Sequence, residues 1–280
     1  MDAGAPAPLG PRAVTGVPIA DPFRRRDKQR SWNDYGSTYW THAATTSHPS
    51  EREAAGFLGD AGHGTRVLVA GATTSEVIAA AVERGAEVHV LDFADKLLDL
   101  AAARFGPDLH THLHDVTDPA PTEEAGSFDV VAADRLINRF HRSEMPRVVA
   151  NLMSFVKRGG QLRVSIRFGL YPLDRRLIQR GTELGTLGRF WDEPTATIDW
   201  AGVTTEIDDV AEDHGDIPAS VVAEWSRLRG VESRIRPHDV AEIAREASGL
   251  GDAVRFGERL EMDAAPDSRI LVATKGDDVR

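Results

Sequence analysis

The sequence predicts an α/β fold in which a mostly parallel sheet carries helices on both faces. From Arg66 onward, short apolar runs alternate with helical stretches at the spacing of βαβ units. Near the end of the chain two strand-like runs follow each other, joined only by the turn sequence "DAAPD". A hairpin at the end of a parallel sheet reverses one strand, so we expect a mixed sheet.

The elements follow in order. Residues 1–30 are rich in Pro, Ala and Gly and end in a basic run, which predicts a disordered tail with a solvated linker. Residues 31–64 contain the aromatic cluster "SWNDYGSTYW" and a helical stretch, and are predicted to form an N-terminal helical lid. The predicted strands are 67–70, 87–91, 109–113, 128–132 and 160–166, and the helices between them are 76–84, 95–104 and 143–158.

The rhythm of strands and helices breaks at residues 172–236, which are polar and irregular. We interpret this stretch as an insertion over the sheet, within a domain covering residues 65–280. A helix at 237–248 and strands at 253–262 and 268–275 complete the predicted fold.

Composition excludes several classes of function. The 280 residues carry a net charge of −11, which argues against a nucleic-acid partner. The absence of cysteine excludes disulfides and thiolate metal sites. With no long apolar run and no signal-peptide pattern, we expect a cytoplasmic protein without a membrane partner. The oligomeric state stays open.

A nucleotide site is predicted from "RVLVAGATTSEVIAAAVERGAEVHVLDF", residues 66–93, which forms a strand, a turn, a helix and a second strand ending in an acid. This stretch is similar to the opening of the short-chain dehydrogenases, which bind NAD(P). Those enzymes need a tyrosine with a lysine four residues later. None of the three tyrosines here, Tyr35, Tyr39 and Tyr171, has that lysine.

The later stretch "SFDVVAADRLINRFHRSEMPRVVANLMSFVKRGGQLRVSI" favours a second family. Its order of Phe128-Asp129, an apolar strand, a helix, Lys157 and Gly159-Gly160 resembles the class I S-adenosylmethionine (SAM) dependent methyltransferases. The resemblance covers roughly residues 31–275, outside the insertion. It implies a doubly wound, seven-stranded, mostly parallel sheet with one antiparallel strand, and SAM as co-substrate.

The resemblance also implies binding roles. The glycine loop lies beside the methionine part of SAM, Asp92 accepts hydrogen bonds from the ribose, Phe93 lies against adenine, Asp115 with Val116 contacts the adenine, and the turn after the fourth strand holds the methionine end. Taken alone, an acid that ends a strand is as often a helix N-cap, but the order of motifs favours ribose binding for Asp92. Asp118 competes with Asp115 for the adenine role. Tyr35, Tyr39 and Trp40 are candidates for closing over SAM. The predicted cofactor-binding residues are Tyr39, Gly71, Ala72, Thr73, Asp92, Phe93, Asp115, Val116, Asp134 and Arg135.

The glycine loop departs from the pattern of the family. Val69 occupies the position of the usual acid, and Thr73 and Ser75 occupy those of later glycines. Threonine is costly where φ is positive, so we expect the turn to take another path and to hold SAM in an atypical way.

The acceptor is expected beyond the fourth and fifth strands, where open sheets bind ligands. The predicted catalytic residues there are Asn138, His141, Tyr171 and Asp174, with His141 or Asp174 as a general base and the insertion, through Trp191 and Trp200, as the acceptor wall. Three hypotheses stay open. They are methyl transfer to a small metabolite, attack on the aminocarboxypropyl arm of SAM by transfer or cyclisation, and SAM binding without catalysis.

A metal site is considered on "HTHLHD", where His110, His112 and His114 share one face of a strand. Imidazoles at this spacing can ligate zinc, but polar faces of edge strands have the same pattern. The sequence interpretation therefore includes no metal.

Overall fold

The computed structural model describes residues 22–42 and 48–276. Its described part contains ten strands: β1 (Arg66–Ala70), β2 (Glu87–Asp92), β3 (His110–Leu113), β4 (Phe128–Ala133), β5 (Val156–Arg167), β6 (Trp191–Asp192), β7 (Thr197–Asp199), β8 (Val231–Ser233), β9 (Phe256–Glu261) and β10 (Ser268–Thr274). Seven of them form one sheet in the order β3-β2-β1-β4-β5-β10-β9.

The helices are α1 (Pro22–His42), α2 (Glu51–Leu58), α3 (Ser75–Glu83), α4 (Asp95–Phe105), α5 (Met145–Phe155), α6 (Pro172–Leu184), α7 (Glu206–Val210), α8 (Ala219–Arg227) and α9 (Asp239–Ser248). Apolar side chains of α2, α3 and α4 form a core on one face of the large sheet, and those of α5 and α9 form a core on the other. Burial on both faces explains why the central strands are continuous apolar runs.

The closing hairpin reverses one strand, as predicted. β10 runs antiparallel to β5, with Leu271 opposite Val164, and β9 runs antiparallel to β10. β9 is therefore parallel to the other strands, and the seven-stranded sheet with one antiparallel strand is confirmed.

Two predicted boundaries were wrong. β5 begins at Val156, where the sequence predicted helix, because the backbone already pairs with Phe128 and Gly159 takes a φ of +72°. Helix α1 begins at Pro22, inside the predicted tail of residues 1–30. The rest of that tail, residues 1–21, lies outside the described part of the chain.

The sequence predicted that the segment 172–236 is irregular, and this was wrong. The segment forms a small layer of regular secondary structure. β6, β7 and β8 form an antiparallel sheet, and α6, α7 and α8 pack with it around a separate core. Trp191 and Trp200 belong to that core, with Trp200 fully buried. Its apolar residues are too widely spaced in sequence to show a helical or strand period.

Among the helices that the structure describes, none combines the length and apolar character that crossing a membrane requires.

Candidate functional site

A cavity of about 530 Å³ opens at the carboxyl ends of β1, β4 and β5. Helix α1 and the segment that follows β5 form its other walls. Parallel sheets bind ligands at this edge, and the volume is that of an ordinary small-molecule site. The predicted site residues that line the cavity are Tyr39, Gly71, Thr73, Asp134, Arg135, Tyr171 and Asp174.

The turn after β1 needs only one glycine. Gly71 has a φ of +104°, donates its amide to the carbonyl of Leu91 at 2.8 Å and accepts the amide of Thr74 at 3.1 Å. Thr73 is not among the described residues of positive φ, so its side chain fits this path without strain. The loop can have an atypical sequence because Gly71 is its one residue of positive φ and α3 already begins at Ser75.

Asp92 braces the turns after β1 and β2. Its carboxylate accepts the amide of Ala72 at 2.8 Å and that of Ala94 at 2.9 Å. Burial raises the pKa of Asp92 to about 6, although the backbone amides act in the opposite direction. Asp92 and Ala72 do not line the cavity, so the ribose-binding role stays a prediction.

The residues predicted for adenine also lie outside the cavity. The carbonyl of Phe93 accepts a hydrogen bond from Gln29 of α1 at 2.7 Å. Asp115 accepts the amide and the hydroxyl of Thr117, each at 2.8 Å. Val116 is buried in the core that contains α5. Helix α1 thus lies over the end of β2, and the adenine assignment stays a prediction.

Asp134 and Arg135 form a part-buried ion pair at the end of β4. The guanidinium of Arg135 contacts both oxygens of Asp134 at 2.8–3.1 Å, and the hydroxyl of Ser165 donates to Asp134 at 2.5 Å. Burial lowers the pKa of Arg135, but the pairing with Asp134 outweighs it and the net shift is upward. Arg135 has a φ of +47°, a conformation that few non-glycine residues adopt. The pair presents opposite charges to the cavity in a fixed geometry.

Aromatic rings from α1 and α8 cover the cavity. The ring centroid of Tyr39 lies 6.1 Å from that of Trp32 and 5.4 Å from that of Trp225. The ring also stacks on His214, with 6.1 Å between the centroids. All four line the cavity. Of the three aromatic residues predicted to close over SAM, only Tyr39 lies here.

The other two, Tyr35 and Trp40, do not line the cavity. Burial and the neighbouring Glu224 raise the pKa of Tyr35 to about 12. Trp40 packs against the core of α3 and α4, near Arg104.

Asn138 and His141 do not have the predicted catalytic position. Asn138 is fully buried, and its side chain pairs with both the amide and the carbonyl of Arg167, at 3.0 and 2.8 Å. The side chain therefore holds the end of β5 in place. His141 lies before α5 and bonds Ser143, outside the cavity.

Asp174 lines the cavity but is not a free base. Its carboxylate accepts two hydrogen bonds from Arg234, at 2.6 and 2.9 Å, and a third from the amide of Tyr171 at 2.8 Å. Arg234 and the start of α6 therefore hold this carboxylate in a structural role, and nothing in its contacts supports attack on the aminocarboxypropyl arm of SAM. The acceptor-wall assignment of Trp191 and Trp200 was also wrong. The rings lie in the separate core.

Sequence reasoning missed several cavity residues. Arg167 is the last residue of β5, and its place at the carboxyl end of a central strand was a signal that it lines the site. Arg139, His214, Trp225 and Arg229 come from loops and from the segment 172–236, where no pattern marks a site.

The predicted histidine face meets residues of β2. His112 bonds His89 at 2.8 Å and Glu124 at 2.8 Å, and His89 bonds Glu87 at 2.9 Å. The side-chain atoms of Glu87, His89 and His110 that could each ligate a metal ion lie within 4.8 Å of one another. His114 instead contacts the carbonyl of Asp118. The guanidinium of Arg66, 3.3 Å from His89, puts a positive charge beside this group.

A family model described as a methyltransferase domain matches residues 67–160, which hold the turn after β1 and the Asp134–Arg135 pair. The magnesium-protoporphyrin O-methyltransferase of Rhodobacter capsulatus is 36% identical over 94 residues, or 32% of this chain. The match spans 40% of the length of that relative.

Two solved structures are similar over most of the chain. A Rhodobacter sphaeroides protein described as a putative Zn-dependent alcohol dehydrogenase is 32% identical, with a TM-score of 0.84 over 89% of this chain and 98% of that one. The 1,6-didemethyltoxoflavin-N1-methyltransferase of Burkholderia thailandensis, solved with 1,6-didemethyltoxoflavin and S-adenosylhomocysteine, is 17% identical. Its TM-score is 0.54 over 98% and 95% of the two chains, which shows a shared fold.

The names of these relatives point to different chemistry. This chain has no cysteine and cannot provide thiolate ligands to zinc. Its reversed strand β10 lies between β5 and β9, in the arrangement expected of the methyltransferases. Together with the match over residues 67–160, these findings identify a methyltransferase domain within a chain that has the fold of the class I SAM-dependent methyltransferases.

Proposed function

We propose that the protein is a methyltransferase that transfers the methyl group of SAM to a small molecule bound in the cavity. The observation that carries the proposal is the convergence of two elements on one cavity. These are the turn at Gly71, which leads into the N-terminus of α3, and the Asp134–Arg135 pair. Both lie within the stretch that matches the methyltransferase domain.

The polar groups at this end of the cavity fit the methionine part of SAM. That part carries a carboxylate and an ammonium group. Arg135 and the N-terminus of α3 offer positive charge and a positive helix end, and Asp134 offers a carboxylate. When bound, SAM supplies an electrophilic methyl group, and the protein contributes chiefly positioning and the exclusion of water.

The aromatic rings that line the cavity exclude water from it. Trp32 and Tyr39 of α1 and Trp225 of α8 line the cavity and pack against one another. Their faces also favour a nearby cation, which suits a sulfonium.

His214 is the side chain in the cavity best suited to take a proton from the acceptor. It lines the cavity beside Tyr39, and burial lowers the pKa of its imidazole, with His48, Arg135 and Arg139 acting in the same direction. The ring is therefore neutral at pH 7 and able to accept a proton. It takes the role that the sequence assigned to His141 or Asp174.

Calorimetry with S-adenosylhomocysteine, SAM and NADPH tests the proposal. We expect the first two to bind and NADPH not to bind. NADPH binding without SAM binding would instead support the dehydrogenase-like alternative. Liquid chromatography of reactions with candidate acceptors should then detect S-adenosylhomocysteine.

A further inference from the structure

The wall of the cavity opposite β1 is crowded with positive charge. Glu232, fully buried, is contacted by Arg229 at 2.5 Å, by Arg234 at 3.0 Å and by Arg139 at 3.9 Å. Asp174 offsets only Arg234. Arg139 and Arg229 line the cavity and share this one carboxylate.

Helix α1 brings Lys28 next to this cluster, although Lys28 does not line the cavity. Lys28 donates to the carbonyl of Arg139 and lies 4.9 Å from the ring of Phe140. Burial lowers the pKa of Lys28, and Arg139 and Arg229 lower it further, while Glu232 and Glu144 act in the opposite direction. Of these acids, Glu144 already accepts the amide of His141. The guanidinium groups of Arg139, Arg229 and Arg234 share two buried carboxylates, Glu232 and Asp174, which leaves an excess of positive charge.

The same cavity is also lined by polar groups without partners. Buried atoms that have no hydrogen-bond partner among the described residues include Arg167 Nε, Tyr171 Oη, Trp225 Nε1 and Ser226 Oγ. Ser226 is 1% exposed and Trp225 is 9% exposed. All four can donate a hydrogen bond, and buried donors normally have an acceptor. The guanidinium of Arg167 lies 4.6 Å from the ring of Tyr171, so two of these groups are neighbours. Only Nε of Arg167 lacks a partner, since its Nη2 donates to Asp267 at 3.0 Å.

We propose that the methyl acceptor is a flat organic acid whose carboxylate binds at this wall, between the Arg139–Arg229 pair and the free donors of Arg167 and Tyr171. A carboxylate supplies the acceptor oxygens that the unpartnered donors lack, and it offsets the excess positive charge. The rings of Trp32, Tyr39 and Trp225 favour a planar body for the same molecule. This inference rests on the proposed function, because it names the class of acceptor for the same cavity.

The test compares matched acids and amides. The probes are 4-hydroxybenzoate and 2-naphthoate, with 4-hydroxybenzamide and 2-naphthamide as neutral counterparts, titrated by calorimetry into protein saturated with S-adenosylhomocysteine. We expect each acid to bind about tenfold or more tightly than its amide, and added salt to weaken the acids alone. Equal binding of acids and amides, or no binding of either, overturns the proposal.

Two variants and a control assign the effect to the wall. Arg139→Gln and Tyr171→Phe should each reduce the preference for acid over amide by about threefold or more. Arg176→Gln also removes a positive charge from the cavity lining, but Arg176 is already held by Glu212 at 3.0 Å and by the carbonyl of Val210 at 3.0 Å. The preference should survive in that control. An equal loss in all three variants would contradict the assignment.

The outcome is separable from that of the proposed function. Binding of S-adenosylhomocysteine alone, measured first, tests the methyltransferase. If it fails, the acid and amide titrations are run without it and still report on the carboxylate site. If S-adenosylhomocysteine binds and the acids show no preference, only the inference about the acceptor is wrong.

Discussion

The two ends of the cavity are built in different ways. At the end beside the turn after β1, the turn is held from behind by Asp92, which accepts the amides of Ala72 and Ala94. At the end formed by the segment after β5, buried donors such as Tyr171 Oη have no described partner. The first end is organised by backbone hydrogen bonds that the fold makes in any case. The second depends on side chains and leaves buried donors unpartnered in the described structure, and this difference is the basis on which we propose the co-substrate for the first end and the acceptor for the second.

The largest effect is expected from breaking the charge network behind the second end. Arg234→Met leaves Asp174 and Glu232 with one cation fewer, and both carboxylates are buried. Removing one partner of a buried ion pair costs about 3–5 kcal/mol of unfolding free energy. Urea denaturation measures this cost, with Arg245→Gln in an exposed pair as a control that should lose less than about 1 kcal/mol. Equal stability of the two variants would mean that the network is not a support of the wall.

His214→Asn tests whether chemistry belongs to the same end. We expect turnover to fall by about 10²-fold, since a positioned proton acceptor contributes at least this much. The affinity for S-adenosylhomocysteine should change little. His141→Asn, outside the cavity, is the control and should retain turnover. If His141→Asn were instead the impaired variant, the original sequence assignment would be right.

Asp92→Ala tests the first end. It removes the acceptor for two backbone amides, and we expect SAM affinity to weaken by about 1–3 kcal/mol as measured by calorimetry. Asp129→Ala, which removes a carboxylate bonded to the amide of Arg66, is a control away from the cavity. Unchanged affinity in Asp92→Ala would show that the ribose lies elsewhere.

The pH dependence sharpens the same assignment. Because burial raises the pKa of Asp92 to about 6, the folded state retains a proton that the unfolded state releases near pH 4. The resulting contribution to stability is present at low pH and is lost as pH rises through about 6. SAM affinity should change in the opposite direction, weakening below pH 6 as the carboxylate is protonated. Calorimetry between pH 5 and 8 should give this decline in the native protein and a flat profile in Asp92→Asn.

The smallest effect is expected from restoring a glycine to the loop. Since Thr73 has no positive φ, Thr73→Gly relieves no strain and costs about 0.5–1 kcal/mol through added freedom of the unfolded chain. SAM affinity should change by less than about threefold. A tenfold loss would instead show that the Thr73 side chain binds SAM directly, and the first end would then also depend on side chains.

The sequence by itself determined the sheet, its reversed strand and the positions of the turns at Gly71 and Asp134, because these features are set by local periodicity and by glycines and acids at strand ends. It also placed Tyr39 and Tyr171 beside the cavity. Only the tertiary structure decided that Asn138 and Asp174 are structural, because their partners, Arg167 and Arg234, are 29 and 60 residues away in the chain. Arg229 and His214 are also far in sequence from the strands that form the cavity, so the sequence did not predict them as site residues. A side chain's role in a buried site depends on which groups remain unpaired after folding, and no local pattern records that.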